Sequence, residues 1–157
     1  MNVIYTDGSC NLNIPSAGAG VFFKSRPEWN ISCFVPGRQT NQRAELYAIY
    51  KALEKLVQED TPSTTENKNL ARCCIIMSDS LYSIRVVTRE WKAKTNLDLV
   101  HPIWAYINQL KQNQWEIQWK HVRAHTGIHG NEMADHLANK ARKEYEETIL
   151  SAFKGEK

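Results

Sequence analysis

The period of the hydrophobic positions changes several times along the chain, and each change marks an element. "NVIYTDGS" and "AGAGVFFKS" are β-rich runs on either side of the turn-forming "CNLNIPS", and "NISCFVPG" follows "RPEW". These runs predict three strands in an antiparallel meander. From Asn41 the period lengthens: Leu46, Ile49, Tyr50, Leu53, Leu56 and Val57 recur at helical intervals and predict a helix to about Gln58, with Thr40 or Asn41 able to cap it. The insert 59–70 is polar, aperiodic and carries a proline, which predicts a surface loop or a weakly ordered insert. "ARCCIIMS" is a continuous apolar run with the look of a buried strand. Ser80 can cap a helix bearing Leu81, Ile84, Val87 and Trp91, and a further helix after His101 carries Ile103, Trp104, Ile107 and Leu110, with Pro102 in its first turn. "WEIQWKHV" alternates as a strand, and Met133, Ala134, Leu137, Ala138 and Ala141 form the inner face of a last helix. From about Tyr145 the tail either extends that helix or frays. Strands and helices in this order describe a mixed sheet with helices packed on it.

Composition narrows the picture only modestly. A chain of 157 residues with 42% hydrophobic content and five tryptophans can bury one core. There is no leader and no apolar run long enough to span a membrane, so an intracellular monomer without membrane attachment is expected. Cys10, Cys33, Cys73 and Cys74 have neither zinc-frame nor disulfide-framework spacing and are expected to be reduced thiols. A net charge of +3 permits a polyanionic partner without demanding one.

The stretch "KHVRAHTGIHGNEMADHLA" gathers His121, His125, His129 and His136 and raises the question of a zinc site. Sharing a metal on one helical face would require one uninterrupted helix, but Gly127 and Gly130 fall inside the span and His121 ends a strand. Zinc is therefore set aside, and only His125, in a glycine-containing loop, keeps functional interest.

The carboxylates are better placed. Asp7 precedes Gly8 on the first strand, Asp79 closes "CCIIMSD", Glu45 falls in the first turn of the first long helix, and Asp135 lies near the start of the last. Singly, each has an ordinary structural use at a strand end or helix terminus. Jointly they differ, because the first strand and the strand ending at Asp79 can be parallel neighbours whose carboxyl ends meet where sheet enzymes place ligands. Such a cluster repels itself unless cations intervene, and hard oxygen donors select Mg²⁺ or Mn²⁺ over zinc.

With these residues in view, the chain resembles ribonuclease H, type 1, over nearly its whole length. The resemblance is carried by "YTDGSC" with Asp7, "PGRQTNQRAEL" with Glu45, "MSDS" with Asp79 and "HVRAHTGIHGNEMAD" with His125 and Asp135, in the family's order. It implies a ribonuclease H-like fold of class α/β, with a five-stranded mixed sheet flanked by helices. The catalytic domain would span 1–145, with 146–157 as a helical extension or frayed tail. It also implies an endonuclease that cuts the RNA strand of RNA/DNA hybrids with two Mg²⁺ ions, Mn²⁺ being able to substitute, and leaves 5′-phosphate and 3′-hydroxyl ends. Asp7 would bridge both ions, Asp135 would hold the ion that activates water, and Glu45 and Asp79 would complete the other. The matching histidine, His125, would assist proton transfer or product departure; its alternative is an exposed loop residue. Glu132 would be accessory, or would only serve the helix dipole.

For the substrate, the resemblance assigns Asn13, Asn41 and Gln42 to the minor groove, where the 2′-hydroxyl distinguishes RNA. Asn41 as a helix cap is the competing account. Arg38, Thr40 and Asn96 match a pocket for a DNA-strand phosphate. Tyr82 and Trp91 match an aromatic floor under the DNA strand, against core packing as the alternative. The chain departs from many relatives between Asp79 and Asn96, where a basic, tryptophan-rich protrusion is absent or vestigial. Arg85, Arg89, Lys92 and Lys94 remain as a small basic patch. A silent hybrid-binding module would leave four carboxylates without use, and a resolvase or integrase would leave Asn13, Asn41 and Gln42 without use.

Overall fold

The alternating runs pair into one sheet. A computed structural model describes residues 2–60, 72–124 and 126–155; His125 and nearly all of the insert lie outside the described residues. The elements are β1 (Asn2–Asn11), β2 (Ser16–Phe23), a 3-10 turn (Pro27–Trp29), β3 (Ile31–Phe34), α1 (Asn41–Glu59), β4 (Cys73–Ser78), α2 (Leu81–Val87), α3 (Leu97–Gln112), β5 (Glu116–His121) and α4 (His129–Gly155). The strand order is β3-β2-β1-β4-β5, with β2 antiparallel to both its neighbours and β1, β4 and β5 mutually parallel. This is the mixed sheet expected from the sequence.

The two faces of the sheet are covered differently. Gly8 pairs with Ala19 and Asp7 with Gly20, and successive residues of a strand point to opposite faces. Gly8 abuts α1 and Gly20 abuts α4, so these helices lie on opposite sides of the sheet. On the α1 side Ile4 and its parallel partner Ile76 are fully buried with Leu46, Ile49 and Leu53. Each such side chain contributes roughly 1.5–3 kcal/mol by burial. On the α4 side the helix presents Ala134, Ala138 and Ala141, small enough for its backbone to lie directly against β2.

The structure differs from the sequence reading at two helix boundaries. α3 begins at Leu97, after Asn96 in the left-handed region, and Pro102 is its sixth residue rather than part of its first turn. Pro102 has no N–H to donate to the carbonyl of Asp98, one turn earlier, and Asp98 is an exposed residue. α2 stops at Val87 instead of reaching Trp91: Arg89 takes φ 64, and the Trp91 amide turns back to the Arg85 carbonyl. Trp91 is consequently 48% exposed, which removes the core-packing alternative. α4 runs unbroken to Gly155, so no fraying begins at Tyr145. Cys74 is buried and the other three thiols half-buried, all unpaired. Among the described residues no helix is long and apolar enough to cross a membrane.

The chain entering and leaving the insert is pinned. Asp60 and Arg72, both nearly buried, form an ion pair at 3.2 Å. Arg72 also donates to the Asn113 carbonyl at 2.6 Å, and the Asn113 amide donates to Asp60 at 3.1 Å.

Candidate active site

β1 and β4 stay paired only as far as Thr6 and Ser78, and the next residue on each is an aspartate. Asp7 and Asp79 therefore stand where two parallel strands part, Asp79 just past the carboxyl end of β4 and Asp7 midway along the longer β1, beside the usual ligand position of such sheets. Glu45 arrives from α1. It is the fifth helical residue, in the second turn rather than the first, because Thr40 caps a helix that starts at Asn41. Gly8 makes the approach possible: a Cβ there would lie 2.5 Å from the carbonyl carbon of Ala44 and the amide nitrogen of Glu45. Asp135 arrives from the other face by the same device. A Cβ on Gly20 would lie 2.2 Å from the Ala134 carbonyl oxygen, and Gly20 is the β2 partner of Asp7. Two glycines thus bring two helices to the same aspartate.

Carboxylate oxygens of Asp7, Glu45 and Asp79 lie within 4.8 Å of one another. Asp135 lines the same open cleft of about 270 Å³, with Gly8, Ala124, Asn131 and Glu132. Burial and then the charge of Asp79 push the Asp7 carboxyl up to about 8. Burial, followed by the charges of Asp7 and Asp79, raises Glu45 well above the ordinary carboxylate range. Glu45 Oε2 and Asn131 Oδ1 are buried acceptors without hydrogen-bond partners. Leaving such groups unmatched costs roughly 1–3 kcal/mol each, more when charged. A divalent cation removes both the repulsion and the orphaned Glu45 acceptor, and the all-oxygen donor set fits Mg²⁺ or Mn²⁺. Among the described residues no histidine joins a group of three possible ligands. His129 packs edge-on against Phe22 at 5.9 Å, and His121 Nε2 lies 3.1 Å from the Asp79 carbonyl. Glu132 is both in the first turn of α4 and at the cleft. Asn131, missed in the sequence, had only the weak signal of lying four residues before Asp135.

The expected substrate residues fall on the rim. Asn41 and Gln42 open α1, both exposed; Thr40, not Asn41, is the cap, its hydroxyl accepting from the Arg43 amide at 3.1 Å. Asn41 is therefore free of the capping role. Arg38 is exposed on the preceding loop, which Gln39 fixes by accepting from the Ala17 amide and donating to the Val35 and Gly37 carbonyls. Asn96 is joined to Thr40 through a residue the sequence reading passed over. Arg43, 6% exposed, donates to both oxygens of Asp98 at 2.9 Å and reaches Asn96 Oδ1 at 3.5 Å. The hydrogen bonds from Arg43 hold the Asp98 carboxyl below its ordinary range. Tyr82 is half-buried against the core, and Trp91 stands exposed. Asn13 lies in the exposed β1–β2 turn, its amide donating to Asn11 Oδ1 at 3.0 Å.

Known proteins resemble this chain in sequence and in fold. The RNase H family model matches residues 1–143. The chain is 34% identical to human Ribonuclease H1 over 92% of its own length and 51% of the human protein, and so spans about half of that relative. It is 33% identical to Ribonuclease H of Ruthia magnifica, covering 88% of this chain and 93% of the bacterial one. Among solved structures, the LC11 RNase H1 in complex with an RNA/DNA hybrid aligns at a TM-score of 0.67 and 25% identity, over 92% of this chain and 99% of that one. With a matching family model over most of its length and the acidic cleft where β1 and β4 part, the chain belongs to the ribonuclease H family.

Proposed function

We propose that the chain is a catalytic unit that hydrolyses the RNA strand of RNA/DNA hybrids internally, with two Mg²⁺ ions, leaving 5′-phosphate and 3′-hydroxyl ends. The observation that carries the reading is the triplet of Asp7, Glu45 and Asp79 oxygens within 4.8 Å, with one Glu45 oxygen buried and unpartnered. A family relative holding an RNA/DNA hybrid supports the substrate class. Mg²⁺ bound there supplies a more acidic water and offsets charge on the phosphate. Asp7 would be shared between the two ions, with Glu45 and Asp79 completing one set and Asp135 the other. Because burial and mutual charge hold the Asp7 and Glu45 carboxyls above their ordinary range, metal binding should release protons and tighten as pH rises.

His125, outside the described residues, would move a proton at the water or the departing oxygen. Asn13, Asn41 and Gln42 would read the minor groove and its 2′-hydroxyls. Arg38, Thr40 and Asn96 would seat a DNA-strand phosphate, and Tyr82 and the exposed Trp91 would support that strand. The unit would act as an intracellular monomer. The test compares labelled RNA/DNA hybrid, duplex DNA and duplex RNA in Mg²⁺ and in EDTA. Cuts confined to the RNA strand of the hybrid and abolished by EDTA are expected; equal cutting of duplex DNA, or cutting that survives EDTA, would overturn the reading.

A further inference from the structure

One face of α4 carries polar side chains at 135, 139, 142 and 146, a spacing that keeps them in line along the helix. They form a continuous chain with β1. Asn139 donates to Asp135 Oδ2 at 3.2 Å, and Ser9 donates to Asn139 Oδ1 at 2.5 Å. Arg142 Nε donates to the Ser9 hydroxyl at 2.7 Å and pairs through Nη1 with Glu146. Glu146 Oε1 then accepts from the Asn11 amide at 3.0 Å and from the Ser16 hydroxyl at 2.9 Å.

Asn11 and Ser16 are the two ends of the turn that presents Asn13. Asn11 Oδ1 receives the Asn13 amide at 3.0 Å, and the Ser16 hydroxyl shares its one hydrogen between Glu146 and the Ile14 carbonyl at 2.8 Å. A single half-buried carboxylate therefore ties both ends of the turn to the helix that carries Asp135. Charge-assisted hydrogen bonds of this kind are the stronger and more directional ones. Glu146 lies beyond the residues matched by the family model, more than one hundred positions from the turn it holds.

We propose that Glu146 is a positioning residue for hybrid recognition, fixing the Asn13 turn at a set distance from the metal-holding Asp135. The inference rests on the hybrid-cleaving function proposed above and adds a residue to its substrate recognition. Glu146 does not touch the hybrid. It acts through Asn11 and Ser16, so its loss should loosen binding without altering the reacting centre.

The experiment measures hybrid affinity in Ca²⁺ by fluorescence anisotropy, and steady-state cleavage in Mg²⁺, for wild type, Glu146→Ala, Glu146→Gln, Asn13→Ala and the double variant Asn13→Ala/Glu146→Ala. Glu146→Ala should raise Kd and KM about tenfold, equivalent to about 1.4 kcal/mol, with kcat within about twofold of wild type. Glu146→Gln should be milder, because its carbonyl still accepts from Asn11 and Ser16 while the ion pair to Arg142 is lost. In the Asn13→Ala background the Glu146→Ala effect should shrink to under about twofold, the signature of a shared pathway. Full, multiplicative effects of the two substitutions, or a fall in kcat with Kd unchanged, would overturn the proposal. So would unaltered affinity in Glu146→Ala. Should Glu146→Ala fail to fold, the same cycle run with Glu146→Leu, which also removes the acceptor for Asn11 and Ser16 but keeps side-chain volume, decides by the same criteria. If wild type neither binds nor cuts hybrid, the proposed function itself fails and the positioning role fails with it; if wild type cuts hybrid and the cycle is additive, only the positioning role is lost.

Discussion

Replacing Asp7 with asparagine should make the metal-free protein more stable at alkaline pH while abolishing cleavage. In the folded chain burial and the Asp79 charge raise Asp7 from 3.8 to about 8. The folded state therefore holds a proton that the unfolded state releases, and stability falls as pH rises between those values. The contribution is fully present below 3.8 and is lost as pH climbs through about 8. Between about pH 5.5 and about pH 8.5 this one group costs about 3 kcal/mol, at roughly 1.4 kcal/mol per decade of proton affinity. Asp7 is only 4% exposed, so solvent screening takes little from that figure. For a chain of this size the loss corresponds to a fall of about 6–12 °C in Tm. Thermal melts by circular dichroism, in EDTA at the two pH values, should show that fall in wild type and a much flatter response in Asp7→Asn. Adding Mg²⁺ at the higher pH should restore wild type far more than the variant. Parallel pH responses in EDTA would refute the reasoning, since a desolvated, charge-crowded Asp7 must make the two differ.

Other outcomes follow from the same geometry. Asp79→Asn should fold normally and retain less than about a tenth of cleavage in saturating Mg²⁺, because an amide cannot offset cation charge; melts and initial rates check both halves. His125→Ala should lower turnover by roughly ten- to a thousandfold with hybrid affinity near wild type, and unchanged steady-state turnover would reduce it to a loop residue. Gly20→Ala, whose new Cβ meets the Ala134 carbonyl, should destabilise by about 1–3 kcal/mol or more and also weaken Mg²⁺ binding by displacing Asp135, as melts and calorimetry would show. Grafting a basic protrusion between Trp91 and Asn96 should steepen the salt dependence of hybrid affinity by about one unit per added phosphate contact, measured in Ca²⁺ across a salt series. The rate at saturation should barely move, because binding shared by ground and transition states leaves the barrier from the bound complex unchanged.

The strands and the long helices were legible because apolar period is a local signal: α1 buries Leu46, Ile49, Leu53 and Leu56, the stripe its sequence shows. The four carboxylates were legible because each sits in a short motif of residues adjacent in the sequence. The helix ends near Arg89 and Asn96 were not, since both depend on a non-glycine residue in the left-handed region that tertiary packing selects. Arg43 was passed over because its meaning depends on Asp98, far along the chain, and an arginine on a helix reads as a solvated face until its partner is known. Glu146 was hidden for the same reason: its partners Asn11 and Ser16 lie at the opposite end of the sequence.

The buried pair of Asp60 and Arg72 has a consequence for engineering. Asp60 and Arg72 meet in one ion pair backed by Asn113, a closed stem that holds the start of β4, and hence Asp79, by contacts of its own. Doubling a loop closed at such a stem costs only about 0.6 kcal/mol in chain entropy. Engineering between positions 61 and 71 should therefore spare Asp60, Arg72 and Asn113, since these three hold the start of β4 and with it the register of Asp79.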